Sequence, residues 1–315
     1  MRPLNPFSAL FGAGVAMRNA LYDRKLLAIQ RLSRPVVSVG NISVGGSGKT
    51  PFVIALGALL KQHGIAFDVL SRGYGRSSTE VAVVDPHGSS AEFGDEPLLI
   101  ARSLDVPVIV GPERYRAGLL AESRFYTQLH LLDDGFQHRQ VHREFDIVML
   151  PAADTEDSLL PTGRLREPIT ALSRADAIAS ADDLLHLPIA PRLHHFWKVR
   201  RELRFKTEIN NAIAFCGIAR PNQFFRQITG TGIRLAKTVS FADHHRYREA
   251  DIIRLLKLKA ETGAQGFITT EKDQINLGSL GERLQPLEIA RLAMTFVEPD
   301  VAIRELLSAL KISSG

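Results

Sequence analysis

The chain has 315 residues, of which 45% are hydrophobic and 23% charged, a composition that fits one large or two ordinary globular domains. Its net charge is +5, and residues 1–34 carry all of it, with Arg2, Arg18, Arg24, Lys25, Arg31 and Arg34 set against Asp23. The rest of the chain is neutral overall, so a nucleic-acid surface has no support there. A single cysteine, Cys216, excludes an intramolecular disulfide and suits a reducing compartment. It follows Ile213-Ala214-Phe215 and reads as a small buried hydrophobe. No repeat or low-complexity tract is present, and no obligate protein partner is evident.

The chain opens on an uncharged apolar segment, Pro3 to Met17, with Phe7, Leu10, Phe11 and Val15. It is too short to span a bilayer and is interrupted by Asn5, Pro6, Gly12 and Gly14. No small-x-small pattern marks a signal-peptide cleavage site. Two readings stand. One is a helix packed on the body. The other is an interfacial helix whose apolar face enters a membrane while Arg18, Arg24 and Lys25 meet anionic lipid.

Pro35 to Leu60 is the most informative stretch. Val36, Val37 and Val39 predict a buried strand ending at Gly40. A loop with Gly45, Gly46 and Gly48 then leads to Lys49, Thr50 and a helix, with Pro51 in its first turn and Gly64 as its stop. Strand, glycine loop and helix make a phosphate cradle: backbone N–H groups converge and the helix N-terminus adds positive charge. Residues 43–50 (Ser43, Val44, Gly45, Gly46, Ser47, Gly48, Lys49, Thr50) form this candidate nucleotide site. Lys49 is placed for the outer phosphates and Thr50 for Mg²⁺. Ser43 stands where the strict pattern has its first glycine.

Strands and helices alternate beyond it. Ala66–Leu70 predicts a strand ending in Ser71-Arg72-Gly73-Tyr74-Gly75-Arg76, a turn suited to phosphate or sugar, or to a solvated hairpin. Residues 81–84 predict another strand. Gly94-Asp95-Glu96-Pro97 opens a helix with Asp95 as its N-cap. Val108–Val110 predicts a strand, followed by Gly111-Pro112-Glu113-Arg114 and a helix. Leu129–Leu132 runs into Asp133-Asp134-Gly135-Phe136-Gln137-His138. Adjacent carboxylates at a strand end repel, and a cation relieves them, so this pair is a candidate Mg²⁺ site. His138 and His142 would suit a transition metal, but a phosphate loop predicts Mg²⁺ with oxygen ligands. Phe145–Leu150 and Ala177–Ala179 predict strands on either side of Pro161-Thr162-Gly163-Arg164-Leu165-Arg166-Glu167-Pro168.

Pro188 and Pro191 suggest a boundary. Beyond it, strands are expected at 194–203, 212–215, 235–241 and 266–269. Helices are expected after Pro221, near 250–259 and from Val301. Asp243-His244-His245 and Thr269-Thr270-Glu271-Lys272-Asp273 follow strands, where open α/β sheets place their ligands. The expected fold is α/β. A P-loop NTPase-like parallel sheet (35–190) follows the hydrophobic-basic segment (1–34) and precedes a smaller α/β unit (191–315).

The runs GNISVGGSGKTP, SRGYGR, GDEP, GPERYRAG, LLDDGFQH, PTGRLREP, GIARPNQF, FADHHRY and TTEKD extend from Gly40 to Asp273. Together they resemble the tetraacyldisaccharide 4′-kinase family of lipid A biosynthesis. That resemblance implies ATP-dependent phosphorylation of a glycolipid, tetraacyldisaccharide 1-phosphate, at its 4′-hydroxyl to give lipid IVA. It also implies a Gram-negative source and work at the cytoplasmic face of the inner membrane. By motif, Asp95 would be the base assisted by His244. Lys49 and Thr50 would hold phosphate and Mg²⁺ near Asp133 and Asp134. Arg166, Arg114, Gln137 and Glu167 would line the site, with Arg72 and Tyr74 as further substrate candidates. Two other classes compete. A nucleotide-switch ATPase usually has Lys where Val44 stands, and a DHH-type metal phosphoesterase leaves the phosphate loop unexplained.

Overall fold

The computed structural model describes residues 6–184, 195–207 and 209–312. The proline-marked boundary at 188 and 191 and the strand's expected first residue, His194, lie outside the described residues. The first half of the chain contains α1 (Pro6–Asp23), β1 (Val36–Gly40), α2 (Lys49–Gln62), β2 (Phe67–Ser71), β3 (Ala82–Val83), α3 (Ser90–Phe93), α4 (Asp95–Leu104), β4 (Val108–Val110), α5 (Arg114–Arg124), β5 (Leu129–Asp133), β6 (Phe145–Met149) and β7 (Ala177–Ser180). The second contains β8 (His195–Arg204), β9 (Ala212–Cys216), α6 (Pro221–Gly230), β10 (Leu235–Ser240), α7 (Glu249–Thr262), β11 (Phe267–Thr270), α8 (Glu271–Leu277), β12 (Leu287–Phe296) and α9 (Pro299–Leu310).

One sheet joins these strands in the order β10-β9-β11-β12-β8-β7-β6-β1-β5-β2-β4-β3. β1 lies between β5 and β6, parallel to both. Every residue of β1, β2, β5, β6 and β7 is buried. Helices cover both faces of such parallel strands, so their sequences read as short apolar runs. The phosphate loop leaves the C-terminal end of β1, beside the C-terminal ends of β2 and β5. A second parallel group, β10-β9-β11-β12, forms the other half of the sheet.

β8 joins the halves. Its first residues pair in parallel with β7, from Ala177↔His195 to Ser180↔Lys198. Its later residues pair antiparallel with β12, from Phe296↔Val199 to Arg291↔Arg204. β12 is absent from the sequence expectations. Its segment, LEIARLAMTF, holds two alanines and breaks strict alternation, so its β signal is weak.

The sheet is therefore continuous across the expected boundary, and the last helix crosses back. α9 packs on α2 and β6. Its Ala302, Ile303, Leu306, Leu307 and Leu310 share one buried cluster with Val37 and Val39 of β1 and with Phe52 and Leu56 of α2. The stretch 191–315 is thus not self-contained, because its terminal helix completes the core of the first half.

Two local expectations are corrected. Asp95 is not an N-cap: Gly94 takes that position, and Asp95 is the first residue of α4. TTEKD begins within a strand rather than after it: Thr269 and Thr270 end β11, Thr270 caps α8 by accepting the Asp273 N–H, and Glu271 starts the helix.

α1 lies against the first half. The Ser8 hydroxyl donates to Leu159 O at 3.0 Å. Tyr22 is buried with the Arg139 guanidinium 5.1 Å from its ring. The opposite face leaves Phe7, Leu10 and Met17 68%, 74% and 67% exposed. No described helix is long and apolar enough to cross a membrane.

Candidate active site

The phosphate loop is held by close packing and hydrogen bonds. A Cβ on Gly40 would lie 2.5 Å from the Phe136 Cβ, so the loop after β5 admits only glycine there. Gly45, Gly46 and Gly48 all have positive φ, at 74°, 42° and 88°, which glycine adopts without steric cost. Ser43 is buried, and its hydroxyl donates to Asp154 Oδ2 at 2.5 Å. The residue that breaks the strict motif thus anchors the loop. The Asn41 amide donates to the Ser47 hydroxyl at 2.9 Å and accepts from Lys49 Nζ at 3.0 Å. Thr50 lies in the first turn of α2.

Asp133 and Asp134 differ in environment. Asp133 ends β5 and accepts from the Ser71 hydroxyl at 3.0 Å. Burial, with Glu96 and Asp134 nearby, pushes its carboxyl up to about 7. Asp134, at φ 50°, lies 3.3 Å from Lys49 Nζ and accepts from Arg166 Nη1 and Nη2 at 3.2 and 3.0 Å. Burial opposes its ionisation, but Lys49 and Arg166 outweigh that and hold it well below the usual carboxylate range. Arg166 also donates to Ser43 O at 3.1 Å and to the Asn41 side-chain oxygen. The donors here are hard oxygens, which suit Mg²⁺. Asp133 is buried, and Lys49 only partly offsets the carboxylates around it, so it gains most from a cation. No group of three or more His, Cys, Asp or Glu among the described residues forms a metal cage.

The second half of the sheet supplies the facing wall. His244 Nδ1 lies 3.0 and 2.8 Å from the two carboxylate oxygens of Asp95, residues that are 149 positions apart. Asn276 Nδ2 donates to the same carboxylate at 3.2 Å, and Lys272 pairs with Glu96. Gly94 sets the angle of α4. Its φ of 88° and ψ of 153° favour glycine, and a Cβ would lie 3.0 Å from Tyr74 O. The Tyr74 and His244 rings are 5.1 Å apart. Burial pushes the Asp95 carboxyl up, but the His244 hydrogen bond and the Lys272 charge bring it below its ordinary value. The Asp95 hydrogen bond raises His244, against burial.

A cavity of about 450 Å³ lies between the walls. Val44 through Thr50, Arg72, Tyr74, Asp133, Asp134, Arg166 and His244 line it. Ser43, Asp95, Arg114, Gln137 and Glu167 do not; Asp95 is buried behind His244, which reaches the cavity. Arg114 is buried, donates to Gly111 O and Pro112 O at 3.2 and 2.9 Å, and is pushed down to about 10 by burial. Gln137 donates to Asn41 O at 2.8 Å and to Glu167 at 3.2 Å. Glu167 also accepts from Asn19 of α1 at 2.7 Å and from Arg174 at 2.9 Å. This network connects α1 to the base of the phosphate loop. Sequence reasoning passed over Asn41, Glu96, Lys272 and Asn276. Three of these lie in or beside quoted motifs, but their types alone read as caps or turn residues.

The competing metal readings find no geometry. Burial, then Arg114, pushes His138 down to about 4, and His142 pairs with Glu144 at 2.8 Å. His245 turns to Asp251 at 3.0 Å, away from His244.

A phosphate loop, a strand-end carboxylate pair and a buried Asp–His pair across a cleft define a phosphate-loop phosphotransferase. The family model for tetraacyldisaccharide-1-P 4′-kinase matches residues 1–311, and this chain belongs to that family. It is 48% identical to a tetraacyldisaccharide 4′-kinase of Koribacter versatilis, covering 99% of this chain and 100% of that one. It is 35% identical to one of Geobacter metallireducens, with 93% of each chain covered. Its structure is similar to the crystal structure of LpxK from Aquifex aeolicus in complex with ATP. That match has a TM-score of 0.78 and 32% identity, covering 97% of this chain and 98% of that chain.

The Asp95–His244 pair gives a pH signature. The lowered Asp95 pKa contributes stability above its ordinary 3.8 that is lost as pH falls through the folded value. The raised His244 pKa contributes stability below its ordinary 6.5 that is lost as pH rises through the folded value. The melting-temperature difference between the parent and His244→Gln is therefore expected to peak between those two values. A difference that stays flat from acid to alkaline pH would contradict the ion pair.

Proposed function

We propose that this chain transfers the γ-phosphoryl group of ATP to the 4′-hydroxyl of tetraacyldisaccharide 1-phosphate, forming lipid IVA in lipid A biosynthesis. The observation that carries this is the Asp95–His244 contact, a buried carboxylate bonded to an imidazole that lines the same cavity as the phosphate loop. Such a carboxylate serves an acceptor hydroxyl, which a simple nucleotide switch does not need.

The loop amides and Lys49 bind and orient the phosphates, opposite the charge that develops on the transferred group. Arg166 holds Asp134 ionised and supports the loop at Ser43 O. Thr50, Asp133 and Asp134 would hold Mg²⁺, which when bound supplies charge to the phosphate oxygens. The sugar oxygen attacks the γ-phosphorus, the bond to the β–γ bridging oxygen breaks, and ADP leaves. Asp95 takes the hydroxyl proton, and His244 and Asn276 orient its carboxylate. Arg72 and Tyr74, at the mouth of the cavity, are placed for the acceptor. Gln137 and Glu167 brace the base of the phosphate loop, and Arg114 holds the turn after β4. The sheet halves on either side of β8 are the units that closure would bring together.

We further propose that the protein works at the cytoplasmic face of the inner membrane as a peripheral protein. The exposed Phe7, Leu10 and Met17 on α1, with Arg18, Arg24 and Lys25 nearby, support this reading.

With ATP, Mg²⁺ and purified disaccharide 1-phosphate, mass spectrometry is expected to show one added phosphate on the glycolipid. Lys49→Ala should abolish most of it while the protein stays folded. Phosphate released only to water would overturn the assignment. For the membrane, changing Phe7, Leu10 and Met17 to Ser should lower sedimentation with anionic vesicles and leave ATP affinity unchanged. Unaltered sedimentation would assign α1 to packing alone.

A further inference from the structure

Arg166 is the arginine that motif reading selects, yet its guanidinium is already engaged by Asp134, Ser43 O and Asn41. Two other arginines face the phosphate loop from the opposite wall. Arg201 stands on β8, and its Cζ would lie 3.8 Å from a Cβ built on Gly48. Arg220 stands at the N-cap of α6, and its Cγ would lie 2.9 Å from a Cβ built on Gly46. Both line the cavity. The Nε of each is buried with no hydrogen-bond partner.

The counter-charge on this wall is shared or distant. No carboxylate among the described residues forms an ion pair with Arg201. Arg220 reaches Asp154 Oδ1 at 3.3 Å, but Arg164 already holds that oxygen at 2.9 Å. Asp134 answers Lys49 and Arg166. The N-terminus of α2 adds further positive charge. Burial depresses the Arg201 pKa, the Asp182 carboxylate offsets part of that, and Arg220 depresses it further. Buried cations whose counter-charge is distant or shared are costly, and a polyanion in this cavity lowers the cost.

We propose that Arg201 and Arg220 form the second wall of a polyphosphate site, holding the outer phosphates of a nucleoside triphosphate against the loop. This rests on the ATP reading above. It adds that the second half of the sheet grips the phosphates as well as orienting the base. The guanidinium planes match phosphate oxygens in paired hydrogen bonds.

The test is calorimetric titration of AMP, ADP and a non-hydrolysable ATP analogue, with Mg²⁺ and without glycolipid. The proteins are the parent, Arg201→Gln, Arg201→Lys, Arg220→Gln and Lys49→Ala. Each Gln variant should bind AMP within about twofold of the parent and the triphosphate analogue about 10- to 100-fold more weakly, the scale of one charged hydrogen bond. Arg201→Lys should recover part of that loss. Equal losses for all three nucleotides would make the arginines structural and overturn the proposal. Unchanged nucleotide affinities with a raised KM for the glycolipid would assign them to the acceptor's 1-phosphate instead. Lys49→Ala separates the two levels. If it weakens the triphosphate and the arginine variants do not, only the clamp fails. If it too has no effect, the phosphate-loop reading fails with it.

Discussion

The hydrogen bond between Asp95 and His244 joins two halves of one sheet, and the catalytic geometry depends on it. The carboxylate sits at the first residue of α4, and the imidazole sits in the loop after β10. The proposed base, Asp95, shares a half with the phosphate loop, and the imidazole that orients it comes from the other half. The contact is fixed on one side by Gly94, whose backbone conformation a side chain would strain. On the other side Asn276 and Lys272 of α8 bind Asp95 and Glu96. Because the pair is largely buried, its charges interact more strongly than they would in water.

The same cleft separates two adjacent carboxylates into different roles. Asp134 faces two cations and stays ionised, while burial, Glu96 and Asp134 outweigh Lys49 at Asp133 and make it hold its proton more tightly. One neutralises the lysine and arginine that shape the loop. The other is left in need of a cation. Environment distinguishes them, not residue type.

The parallel strands were legible because burial on both faces leaves plain apolar runs, as in β1, β4 and β6. The phosphate loop was legible because its glycines and Lys49 serve one purpose at fixed spacing. Long-range relations were not. Nothing local says that α9 completes the first core or that β12 pairs with β8, since both depend on packing partners far away in sequence. Asp95 looked like an N-cap because an acid before Pro97 usually is one. Only the family resemblance paired it with His244. Gln137 and Glu167 were found as motif residues, but only coordinates show them bracing the loop beneath the cavity. Arg220 lies in the quoted GIARPNQF run without a role assigned to it, and Arg201 carries no sequence signal beyond its charge.

The most direct test of this account is a double-mutant cycle on turnover with saturating ATP, using Asp95→Ala, His244→Ala and the pair. Asp95→Ala should cost at least about 10²-fold, the scale of general-base catalysis. The double variant should be barely slower, because residues that act as a unit do not add. Losses that multiply independently would show that the two side chains touch without working together.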